Sequence, residues 1–163
     1  MKRDKILRNM AVISAVFSGI SVLLGCICVI FPKWFIPAFF GYNFKNYSLG
    51  SAMPFMLIRA LLPLSLFLLA LVNIKSDTMK YNKGIITAVL TVVFHIINSV
   101  VGGVFYSVSL KICAYSGGTD MVSLLGGVNA SLGFINWLNF FAVLILVSAS
   151  AIEVYVSKKG ETI

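Results

Sequence analysis

Four long stretches of this chain carry almost no charge, and that pattern decides what it can fold into. No charged residue lies between Arg8 and Lys33, between Lys83 and Lys111, or between Asp120 and Glu153, and only Arg59 lies between Lys45 and Lys75. A helix crosses about 30 Å of hydrocarbon with roughly 20 mainly apolar residues. Each gap is long enough, and the apolar runs within them predict spans at 10–31, 55–74, 85–107 and 134–156. The expected fold is all-α: one transmembrane domain over 1–163, an integral membrane four-helix bundle running up-down-up-down.

Composition closes off the other classes. The chain is 60% hydrophobic and 11% charged, whereas soluble domains average about 45–50% and 25%. Disorder, a disulfide-dense secreted scaffold and a basic nucleic-acid-binding tail are incompatible with those proportions. The first apolar run continues through Cys28-Val-Ile-Phe31, beyond the 7–15 residues typical of a signal-peptide core, so it reads as a span.

Lys and Arg near the span ends set the expected orientation. Lys2, Arg3, Lys5 and Arg8, then Lys75, Lys80 and Lys83, then Lys158 and Lys159 fall on one side; Lys33, Lys45 and Lys111 fall on the other. Both termini are therefore expected in the cytoplasm and the protein in the plasma membrane. The net charge of +8 is a topology signal, with anionic lipid as its natural partner and no nucleic acid implied.

The 75–84 connection is short, which makes the second and third spans antiparallel neighbours. Two longer connections, 32–54 and 108–133, are expected outside. The first holds Trp34, Phe35, Phe39, Phe40, Tyr42, Phe44 and Tyr47 between prolines and glycines, and reads as a short interfacial segment at headgroup level. In the second, Gly117-Gly118 and Gly126-Gly127 suggest a mobile loop, with 123–131 as loop or re-entrant chain. Asn46-Tyr-Ser and Asn129-Ala-Ser match the glycosylation pattern as chance occurrences. Three cysteines leave at least one thiol unpaired, and a bridge from Cys113 to Cys26 or Cys28 is the less favoured arrangement.

Polar groups within spans face the bundle interior and are functional candidates by default. Ser14, Ser18, Ser21 and Gly25 share one face of the first span, which close helix packing explains. Thr87, Thr91, His95, Asn98 and Gly102 fall within an arc of about 80° on the third. His95, the one histidine, reads as a proton carrier or ligand contact, or as a neutral imidazole bonded to a neighbouring helix. Arg59 lies four residues before Pro63, which should free the Arg59 carbonyl and kink the helix. Its side chain either lines an anion or polar-ligand site or snorkels to lipid phosphate. Asn136 and Asn139 bring amides from the fourth span, and Glu153 is expected to pair with a cation at the inner surface. Arg59, His95, Asn98, Asn136 and Asn139 are thus the candidate ligand-binding set, converging in an outward-opening polar pocket.

No metal centre, cofactor or catalytic nucleophile is indicated: one His and five scattered acids do not make a typical metal site, and no glycine-rich phosphate loop or activated Ser or Cys is present. Three functions fit. The leading one is a non-enzymatic protein that binds or helps translocate a small polar, anionic or amphiphilic ligand. The second is an accessory subunit docked to a larger membrane partner, or a homo-oligomer. The third is a membrane enzyme acting on a lipid-like substrate with His95 as base.

Overall fold

A computed structural model of the chain describes residues 2–32, 49–75, 81–116 and 118–160. Among the described residues the fold is helical throughout, with no strand. Helix α1 spans Lys2–Ile30; a 3₁₀ turn at Gly50–Ala52 leads into α2, Met53–Leu61, and α3, Leu64–Lys75; α4 spans Tyr81–Ser116 and α5 Gly118–Gly160. Four segments are long and apolar enough to cross a membrane: Lys5–Ile30, Gly50–Ile74, Lys83–Tyr115 and Thr119–Lys159. Such a set is compatible with a small multi-pass membrane protein. The aromatic segment and its expected interfacial placement fall at 33–48, outside the described residues, as does most of the 75–84 connection.

The second span breaks where the proline predicts. Pro63 has no N–H to give the Arg59 carbonyl, and α2 ends at Leu61. The Leu62 N–H then takes that carbonyl at 3.3 Å, and the Pro63 carbonyl accepts from Leu66 and Phe67 at 3.1 Å each to restart the helix. The Arg59 carbonyl thus loses its ordinary partner four residues on, as expected, and takes a longer bond from Leu62 instead.

A larger correction concerns 108–133. The expected loop is helix: α4 continues to Ser116 and α5 already begins at Gly118. Leu124, Leu125, Val128, Ser131, Leu132 and Ile135 are all buried, at intervals that put them on one face of a helix. Burial of that stripe outweighs the helix-weakening effect of Gly126 and Gly127, about 1 kcal/mol each relative to alanine.

Exposed side chains change character along the helices. On α4, those from Ile85 to Val104 are aliphatic except Ser99 and Gly103, and those that follow are Ser107, Lys111, Ala114 and Tyr115. On α5, Thr119, Asp120, Ser123, Ala130 and Gly133 precede Phe134, Asn136, Trp137, Phe140, Phe141 and Leu144, apolar apart from Asn136. The aliphatic band of α4 rises about 30 Å, one hydrocarbon thickness. The helices themselves run further than the spans read from sequence.

The chain divides into two compact units: Met1–Ile20, Pro63–Ile97 and Leu138–Ile163 form unit 1, and Ser21–Leu62 with Asn98–Trp137 form unit 2. In unit 1 the Ser14 hydroxyl donates to the Ala142 carbonyl at 2.8 Å and Thr87 donates to Asn73 Oδ1 at 3.2 Å. Gly84 lies against Ser150 and Val154, and the His95 ring lies 6.1 Å from Phe140. These pairs are nearly symmetric about residue 117, so α4 and α5 run antiparallel there. Buried Glu153 also lies close to Gly84. In unit 2 the core joins Cys28 and Val29 to Ala52, Met56 and Ala60, to Cys113, and to the Leu124–Ile135 stripe. Ser21 donates to the Ile135 carbonyl at 3.5 Å, and a Cβ at Gly25 would stand 3.3 Å from Ala60 Cβ. The small-residue stripe of α1 thus serves packing in both units. All three cysteines are free thiols.

Candidate functional site

Arg59 is the one charged residue of the Gly50–Ile74 span, and its surroundings belong entirely to unit 2. The neighbours of Arg59 on α2, Met56 and Ala60, face the core, which leaves the arginine half-buried at the flank of that face. Gly102 of α4 lies beside the stem, where a Cβ would stand in ordinary contact at 3.6 Å from Arg59 Cγ and Nε. The guanidinium then meets two groups. Nη1 donates a hydrogen bond to Asn129 Oδ1 on α5, and the guanidinium carbon stands 5.5 Å from the centroid of the Tyr106 ring on α4. That distance is within the range of a cation–π contact. Three helices therefore converge on one charge.

The charge is held by neutral groups. Asp120 is the one carboxylate of unit 2, and it lies nine residues before Asn129, about 13 Å along the helix. An arginine carries five N–H donors in a planar fork, and a single amide oxygen engages one of them. The arrangement supplies hydrogen-bond donors and positive charge, and suits recognition of a polar or anionic group more than catalysis.

The other sequence candidates distribute as follows. Asn98 is half-buried and Asn136 exposed, both in unit 2; His95 is half-buried and Asn139 fully buried, at 1% exposure, both in unit 1. Asn136 and Asn139 therefore differ sharply in exposure, although they sit three residues apart. His95 has Phe140 as its ring neighbour, with the planes inclined at 49°. Among the described residues, no three His, Cys, Asp or Glu side chains come together as a metal site would require.

Two contributors lay outside the sequence-based set. Asn129 was assigned to a loop, so its amide was not counted among membrane-level polar groups; the helical spacing of Leu124, Leu125, Val128 and Leu132 was the signal that places it. Tyr106 sits at the end of the span read at 85–107, where an aromatic ring reads as a belt residue. No protein-family model matches the chain, and comparison with curated proteins and with solved structures finds no match.

Proposed function

We propose that this chain is a non-enzymatic multi-pass membrane protein that binds a small polar or amphiphilic ligand at Arg59, with Asn129 and Tyr106 completing the site. Its helices run up-down-up-down with both termini in the cytoplasm, and the site opens on the outer side of the plasma membrane. One observation carries the reading: a guanidinium on a membrane-crossing helix turns to an amide and a ring, both neutral. A cation on such a helix is a functional candidate by default, and a ligand gives this one a purpose. Helping such a ligand across the membrane is an extension of the same reading.

Native mass spectrometry of the full chain in mild detergent tests it. A bound small molecule should be retained by the wild type and lost from Arg59→Leu at unchanged helical content. Arg59→Lys should retain it weakly, because an ammonium does not reproduce the planar fork. Equal retention by all three proteins overturns the assignment. Orientation is tested separately: a cysteine replacing Lys80 should be labelled from the cytoplasmic side alone, and one replacing Asp120 from outside alone. The reverse pattern would invert the topology.

A further inference from the structure

We infer that the group bound at Arg59 is a phosphate-bearing anion, carried either by a lipid headgroup or by a small soluble phosphate ester. The inference rests on the binding role just proposed and specifies its ligand.

The site is rich in donors and poor in acceptors. The Tyr106 ring, 5.5 Å from the guanidinium carbon, takes none of the five N–H donors in a conventional hydrogen bond, and Asn129 takes one. Asn129 gives its oxygen to Arg59, which leaves its amide NH₂ as a second donor beside the first. The Tyr106 hydroxyl adds a third donor. A tetrahedral anion with several oxygens can engage all of these together, and the arginine fork matches phosphate in a bidentate manner.

Charge points the same way. Among the described residues of unit 2, Arg59 and Lys111 stand against Asp120 alone. Exposed Lys111 follows Tyr106 by five residues on α4, about 7–8 Å along the axis, so it adds to the positive field around the site.

Position supplies the last argument. The aliphatic exposed band of α4 ends at Val104, two residues before Tyr106, and the largely aromatic one of α5, which includes Asn136, begins at Phe134, five residues after Asn129. Arg59 starts within a span, yet its guanidinium is carried to the edge of the apolar band. Lipid phosphates lie at that level, and a soluble phosphate ester arriving from water reaches it without crossing hydrocarbon.

The test uses the full chain in mild detergent, titrated separately with phosphatidylglycerol, glycerol 3-phosphate, inorganic phosphate and a long-chain fatty acid, with binding followed by native mass spectrometry. Wild-type protein should bind at least one phosphate compound about tenfold or more tightly than the fatty acid, a carboxylate amphiphile. Arg59→Leu should lose about tenfold or more of that affinity, the range for a charge-assisted hydrogen bond. Should that variant fail to fold, Tyr106→Phe removes one hydroxyl and should lower phosphate affinity several-fold. Preference for phosphatidylglycerol identifies the lipid as source; preference for glycerol 3-phosphate or inorganic phosphate identifies a soluble anion. Equal binding of fatty acid and phosphate compounds, or phosphate binding insensitive to both substitutions, overturns the inference. A retained molecule without phosphorus, lost on Arg59→Leu, would overturn the phosphate assignment and leave the binding role standing.

Discussion

Leu125→Ala should lower the stability of the folded chain by about 2–5 kcal/mol, the range for removing a large buried aliphatic side chain from a packed core. The side chain is fully buried, at 0% exposure, within the cluster that includes Cys28, Met56 and Cys113. Its helix carries polar exposed residues at this level, so both the lost contacts and the lost transfer from water count against the variant. Thermal unfolding in detergent should show the loss, with Ser123→Ala, two residues away and exposed, changing stability by about 0.5 kcal/mol or less. If the two variants unfold alike, 118–133 is not packed as a helix.

That segment also marks where the sequence ceased to be legible. The spans could be read because charge is excluded from hydrocarbon, a strong and local constraint. The break at Pro63 was equally plain, since a missing N–H has one consequence in a helix. Residues 123–131 present two conflicting signals, paired glycines that favour a turn and an apolar stripe at helical spacing. Tertiary burial decided between them, and a single sequence does not display its tertiary neighbours. The same misreading hid the partner of Arg59. Its inward orientation was one of two readings of a lone arginine, while the identity of its acceptor depended on Asn129 belonging to a helix that reaches past the membrane span. Asn136 and Asn139 show a finer limit: three residues apart, they straddle the border between an exposed and a buried face of α5.

Gly84→Val should be the second damaging change, by about 1–3 kcal/mol for steric overpacking. A Cβ at this position would meet Val154 Cγ2 at 2.9 Å and the Ser150 carbonyl oxygen at 3.1 Å. The valine methyl can rotate aside, but the carbonyl is part of a helix and cannot move without it. Alanine gains about 1 kcal/mol of helix propensity over glycine, so Gly84→Ala should be close to neutral or mildly destabilising. Gly103→Ala should move the other way, because a Cβ there meets nothing within 4 Å and only the helix propensity changes. The three melting temperatures, ordered Gly103→Ala, Gly84→Ala, Gly84→Val from highest to lowest, test the close approach directly. A Gly84→Val protein as stable as wild type would place α4 and α5 further apart at this level.

The link between α4 and α5 has a kinetic consequence. One residue separates Ser116 from Gly118, and the pairs Gly84 with Ser150 and His95 with Phe140 are balanced about it. A hairpin of this kind need not search for its partner strand of chain. The closing entropy of a loop grows with its length, and a one-residue link adds almost nothing to it. Pairing of α4 with α5 that starts beside the link would close each later contact across a short remaining loop. Contacts distant in sequence are reached through a series of local steps, the circumstance that favours rapid folding. Lengthening this link with a flexible insert would slow assembly of the pair while leaving its final packing intact.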